Sequence, residues 1–168
     1  TKSREGRVNV GTPEVVAELA QRKWDLFIVT AYGKILPQSL LDIPTRGTLN
    51  MHPSLLPRLR GPSPIRSAIL TDEKETGVSI MLLDAEMDHG PIVAQREYYV
   101  DENIWPSSTL ELSDILAKVA SNLLIETLEK YGSNSVEYQE QNHDQATYTK
   151  MINKADAQVF PETENISD

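Results

Sequence analysis

Asp25-Leu26-Phe27-Ile28-Val29-Thr30 is the segment from which the architecture follows. Its apolar residues stand in one unbroken run, too short for a buried helix and without the alternation of a half-exposed strand. Such a run reads as a strand buried on both faces of a parallel sheet. A helix precedes it, because Thr12-Pro13-Glu14 offers an N-cap hydroxyl and then a proline at the first helical position, where a missing N–H costs nothing. Val15, Val16 and Leu19 carry its apolar face on toward Lys23. Further strands are predicted at residues 47–52 and 78–83, with a more exposed one at 92–100, where polar and aromatic residues mix. A long helix is predicted over residues 109–131. Ser108 and Glu111 frame its start as a capping box, Leu112, Ile115, Leu116, Val119 and Leu123 recur at helical spacing, and Gly132 closes it. Strands alternating with helices imply an α/β fold, an open and mostly parallel sheet flanked by helices. Ligands of such sheets bind at the carboxyl ends of the strands.

The 168 residues suffice for one globular domain, and with aromatics at 6% its core must be mainly Leu, Ile, Val and Ala. There is no cysteine. A disulfide framework, a thiolate zinc site and a thiol nucleophile are excluded, and a reducing cytoplasmic setting fits. No stretch approaches the ~20 apolar residues of a membrane span. The net charge of −9 argues against gripping nucleic acid over the whole surface. That charge is uneven: residues 43–71 contain no Asp or Glu but hold Arg46, Arg58, Arg60 and Arg66. An acid-free, arginine-bearing stretch suits an anion, or is simply a solvated face.

The chemistry-bearing groups gather where two strands end. Asn50 and His52, two apart in a strand, share one face. The loop Leu83-Asp84-Ala85-Glu86-Met87-Asp88-His89-Gly90-Pro91 adds three carboxylates and a second imidazole. Asn50 can donate hydrogen bonds to a developing oxyanion, His52 can move a proton near neutral pH, and a carboxylate can orient it. The set suits transfer of an acyl-level carbon to an amine without a protein nucleophile. On residue types alone, Asn50 and His52 could instead cap a strand end, and His52, Asp88 and His89 could hold a metal, although neither histidine sits in a zinc-binding spacing.

Residues 50–65, Asn50-Met51-His52-Pro53-Ser54-Leu55-Leu56-Pro57-Arg58-Leu59-Arg60-Gly61-Pro62-Ser63-Pro64-Ile65, strongly resemble the signature of the folate-dependent formyltransferases. Thr76-Gly77-Val78-Ser79-Ile80 and Met87-Asp88-His89-Gly90-Pro91-Ile92 resemble the family's second motif, and Ala31-Tyr32-Gly33-Lys34-Ile35-Leu36-Pro37 its folate-lining segment. The resemblance implies a Rossmann-like domain that takes a formyl group from 10-formyltetrahydrofolate, with Asn50, His52 and Asp88 as the catalytic trio and no metal. It places folate against Ile35, Leu36, Ser54, Leu55, Leu56, Pro57, Leu83, Asp84 and Glu86, with Ile35 and Leu36 serving core and pocket together. Arg58 and Arg60 then fall to the anionic substrate, whether tRNA backbone or folate glutamate tail. Glu86 stands where relatives often carry Gly, and His89, where Thr is common, is a bystander at the rim.

The Arg-x-Arg-Gly-x-x-Pro-Ile continuation and Ala146-Thr147-Tyr148-Thr149-Lys150-Met151-Ile152 are similar to the branch that formylates initiator methionyl-tRNA. Acceptors of other branches, amino sugar nucleotides or glycinamide ribonucleotide, are the alternatives, as is a folate-binding fragment without catalysis. The expected organisation is a catalytic domain over residues 1–150, lacking the family's N-terminal strands, and a linker or tail over 151–168. Such a piece would expose a sheet edge and could self-associate.

Overall fold

The computed structural model describes residues 10–101, 103, 105, 108–153 and 156. The elements run α1 (Pro13–Leu19), β1 (Phe27–Val29), α2 (Gln38–Leu41), β2 (Thr48–His52), α3 (Pro64–Leu70), β3 (Glu75–Leu82), β4 (Ile92–Tyr99) and α4 (Thr109–Gly132), with a short 3-10 turn at His143–Gln145. The four strands form one open sheet in the order β1-β2-β3-β4. The α/β class and the flanking helices are as expected from sequence. The sheet itself is mixed rather than mostly parallel: β1 and β2 are parallel, while β2–β3 and β3–β4 are antiparallel. For β3–β4 the reason lies in connection length, since residues 83–91 are too few for the helical crossover that a parallel pair requires.

β1 departs further from expectation. It is not buried on both faces: Ile28 is 43% exposed, and among the described residues β1 pairs with β2 alone. Its apolar run thus marks an edge of the described sheet. The core lies instead between β2, β3, β4 and α4, where Leu49, Val78, Ile80 and Val100 meet Leu112, Leu116, Leu123 and Tyr131. α4 obeys its sequence signals. The Glu111 N–H donates to Ser108 Oγ at 3.2 Å and the Ser108 N–H donates to Glu111 Oε2 at 3.0 Å, the reciprocal capping box. Those bonds hold the Glu111 carboxyl below its ordinary pKa. At the other end, Gly132 is the last helical residue and Asn134 takes the left-handed conformation, with φ +52°. Arg46 anchors this end by donating to the Tyr131 carbonyl at 2.6 Å and stacking over its ring. A cation there also opposes the negative end of the helix dipole. Among the described residues no helix is long and apolar enough to cross a membrane.

Candidate active site

β2 is an inner strand, and its carboxyl end presents the first two candidates. Leu49 and Thr48 are sealed in, Asn50 is half-buried opposite Met81, and His52 is 4% exposed opposite Ser79. Among the described residues nothing hydrogen-bonds the Asn50 carboxamide, so its donors are free. His52 is engaged on both sides. Its Nε2 lies 2.9 Å from the Leu59 carbonyl, which can only accept, so Nε2 carries the hydrogen. Nδ1 is left with the ring's lone pair. It faces Asp88 Oδ2 at 3.6 Å, just beyond direct hydrogen-bond distance.

The turn after His52 is built to hold Leu59 in place. Ser54 Oγ donates to the Arg58 carbonyl at 2.7 Å, and the Leu56–Pro57 peptide is cis. Buried Ser79 on β3 ties the turn to the sheet: its hydroxyl donates to the Ser54 carbonyl at 2.7 Å and accepts from the Leu56 N–H at 3.0 Å. Gln95 on β4 donates to Ser79 Oγ and to the Leu56 carbonyl. Leu56 is buried with Met81 and Ile92, and Leu83 packs partly against them, while Leu55 and Pro57 are half-buried.

Asp88 arrives from the β3–β4 loop in the left-handed conformation, φ +51°, uncommon for a residue with a side chain. Its Oδ2 accepts the Gly61 N–H at 2.7 Å. Gly61 has φ +104°, and a Cβ there would lie 2.8 Å from the Thr149 carbonyl, so only glycine fits. Gly90 closes the loop for a similar reason, with the Leu82 carbonyl only 2.0 Å from where a Cβ would stand. Asp84 folds the loop on itself by accepting the Glu86 N–H at 2.9 Å and pairing with His89 Nδ1 at 2.7 Å. His89 thus stands at the rim, stacked face to face on His143 with ring centroids 4.1 Å apart. Among the described residues no group of three or more His, Asp or Glu side chains could hold a metal ion.

The two arginines differ. Arg58 is 43% exposed at its side chain and pairs closely with Glu73. Arg60 is 1% exposed, so it does not offer the surface charge read from sequence. Its guanidinium donates inward, to Gln141 Oε1 at 2.6 and 3.2 Å, His143 Nδ1 at 2.9 Å and the Tyr148 hydroxyl at 3.3 Å. Ile35 is likewise not a core residue, being 82% exposed where Leu36 is half-buried. Its neighbours Gly33 and Lys34 are exposed as well, so this part of the loop gives Ile35 little to pack on.

Ser79 and residues 146–149 stand in stretches that resemble the family, but the sequence offered no site role for them, for Gln95 or for the polar residues 139–145. In the structure residues 139–149 form a strap across the site. The Arg60 N–H donates to the Thr147 carbonyl at 2.8 Å and the Thr149 N–H donates to the Arg60 carbonyl at 2.7 Å. The Leu59 N–H donates to Thr147 Oγ1 and the Ser63 N–H to Thr149 Oγ1. The signal available in sequence was the pair of hydroxyls in Ala146-Thr147-Tyr148-Thr149, spaced to face one side of an extended segment.

The formyl transferase family matches residues 2–128. A methionyl-tRNA formyltransferase from Chloroflexus aggregans is 46% identical over 147 residues, 88% of this chain and 47% of that protein. This chain therefore spans about half the length of the curated relatives it matches. Among solved structures, a phosphoribosylglycinamide formyltransferase from Bacillus halodurans is 33% identical with a TM-score of 0.64, over 73% of this chain and 61% of its own. HypX from Aquifex aeolicus, solved with tetrahydrofolic acid, shares the fold at 20% identity and a TM-score of 0.73, over 90% of this chain and 25% of its own. On the breadth of the family match and the relatives' identity, the chain belongs to the formyl transferase family.

Proposed function

We propose that this chain carries the catalytic centre of an enzyme that moves a formyl group from 10-formyltetrahydrofolate to the α-amino group of methionyl-initiator tRNA, in the cytoplasm. The observation that carries the reading is the approach of His52 Nδ1 to Asp88 Oδ2 across 3.6 Å, beside a carboxamide at Asn50 with free donors. The relatives named for methionyl-tRNA favour that acceptor. The folate supplies the formyl carbon. The overall change forms one C–N bond to the amine, breaks the bond to the folate nitrogen, and moves one proton from the amine to that nitrogen.

The chain's own groups divide this work. Asn50 donates to the formyl oxygen as it gains negative charge, a contribution strongest in a site shielded from water. The Leu59 carbonyl holds the imidazole in the tautomer whose Nδ1 lone pair opens toward Asp88, so the gap between them is where the amine's proton is received. Once protonated at Nδ1, His52 faces Asp88 until the proton passes on to the departing folate nitrogen. Asp88, fixed by the Gly61 N–H, balances that charge. Ile35, Leu36, residues 54–57, Leu83, Asp84 and Glu86 form the folate side. The large exposure of Ile35 supports a surface waiting for an apolar ligand. Arg58 is the cation left for phosphate or carboxylate. Residues 1–150 form the catalytic unit on this reading, with 151–168 leading out of it.

The test is formyl transfer by the purified protein to three acceptors: methionyl-initiator tRNA, glycinamide ribonucleotide and an amino sugar nucleotide. A clear preference for the tRNA is expected. Equal or reversed rates would move the assignment to another branch, and folate binding without transfer to any acceptor would leave a binding fragment.

A further inference from the structure

The Asp88 carboxylate cannot hold its place unaided. Its residue sits in the left-handed conformation, φ +51°, which few residues with a side chain adopt, and its surroundings hold it there. Two contacts do so. The Gly61 N–H takes the carboxylate, and the Gln141 Nε2 takes the backbone, donating to the Asp88 carbonyl at 3.0 Å and to the Gly90 carbonyl at 2.7 Å. Gln141 is 5% exposed, and its other end accepts from the Arg60 Nε and Nη2.

The partners fix which chemical group can sit there. Arg60 only donates and the two carbonyls only accept, so the side chain between them needs an acceptor at one end of its head and two donors at the other. A carboxamide meets that demand. A carboxylate would satisfy Arg60 and set an oxygen against two carbonyl oxygens, while an apolar group would leave a buried guanidinium, the buried Gly90 carbonyl and the part-buried Asp88 carbonyl short of partners. Arg60 is itself held at its backbone by Thr147 and Thr149, and the next residue along is Gly61. Both grips on Asp88 therefore lead back to one buried cluster under the strap of residues 139–149.

We propose that Gln141, oriented by buried Arg60, is a positioning residue that aims Asp88 at His52 Nδ1, and that the strap completes the site. The role assigned to Asp88 rests on the function proposed above, whereas the aiming itself is a statement about geometry. The test uses Gln141→Leu and Gln141→Glu with two readouts. Hydrogen exchange reads the Gly61 amide, whose partner is the Asp88 carboxylate. Its protection should fall at least about tenfold in both variants, while amides in β2 and β3 keep theirs. Undiminished Gly61 protection would overturn the proposal even in a protein that transfers no formyl group. Formyl transfer gives the second readout: a misplacement of about 1 Å costs on the order of a hundredfold in kcat, with KM little changed. In an Asp88→Asn background Gln141→Leu should add little further loss, since both changes disable one group. Full additivity would overturn the proposal by making Gln141 a general structural residue. If Gln141→Leu fails to fold, Gln141→Glu, which keeps its Arg60 partner, decides on both readouts.

Discussion

Replacing Gly61 by alanine should strike fold and site together. The glycine's φ of +104° lies where a side chain is strained, at a cost of about 1–2 kcal/mol or more. The added Cβ would also lie 2.8 Å from the Thr149 carbonyl and 3.0 Å from its hydroxyl, closer than such atoms approach, so the strap must shift. A shifted strap weakens the Gly61 N–H bond to Asp88, and a hydrogen bond to a charged group is worth about 1.5–3 kcal/mol. These losses overlap because one movement relieves the clash and breaks the bond, so a total of roughly 2–4 kcal/mol is expected rather than their sum. Urea unfolding followed by tryptophan fluorescence reads this as a midpoint lowered by about 1–2 M at the slopes usual for a domain of this size. Gly132→Ala serves as the control in the same assay. That glycine is helical and a Cβ there meets nothing within 4 Å, so alanine should leave stability unchanged or raise it by up to about 1 kcal/mol. A Gly61→Ala loss below about 0.5 kcal/mol, or equal effects at the two positions, would refute the tight strap–loop packing on which the site's geometry depends.

Three further outcomes follow from single contacts. Burial first, and then a hydrogen bond with the Tyr138 hydroxyl, raise the Tyr131 pKa well above its ordinary value of 10.0. Its contribution is therefore full below about pH 10 and is lost as pH rises, because the unfolded chain ionises first. Stability should fall up to about 1.4 kcal/mol per pH unit more steeply in the wild type than in Tyr131→Phe above that point, and parallel curves would contradict the burial. Ser108→Ala removes the hydroxyl that caps α4 and should cost about 1 kcal/mol, read by thermal melting, with no change marking a helix start held by packing alone. Arg58→Ala breaks an exposed pair with Glu73 and should change stability by less than about 1 kcal/mol. The same variant should weaken tRNA binding and flatten its salt dependence, and an unchanged salt slope would remove Arg58 from the phosphate contacts.

What could be read from the sequence was whatever local spacing specifies. Asn50 and His52 share a face because strand geometry has a period of two, and the α4 capping box depends on residues three apart. Strand direction was not legible in the same way. It depends on how far each connection must travel, and the apolar run of β1 looks the same at an exposed edge as in a buried interior. Arg60 illustrates a second limit. An arginine in a polar loop reads as a solvated cation, and its burial follows only from partners such as Gln141 and Tyr148, more than eighty residues away along the chain. The strap stayed hidden for the same reason: its residues bond across the chain with polar side chains and backbone, which leaves no hydrophobic period behind.

The proposed roles of His52 and Asp88 are tested most directly by the rate at which 10-formyltetrahydrofolate and methionyl-initiator tRNA give N-formylmethionyl-tRNA, compared among the wild type, His52→Ala and Asp88→Asn. Losing a group that handles the transferred proton should lower that rate by about 10²–10⁴-fold in each variant, with circular dichroism unchanged. Turnover by either folded variant at the wild-type rate would contradict the assignment of His52 and Asp88 as the pair that moves the proton.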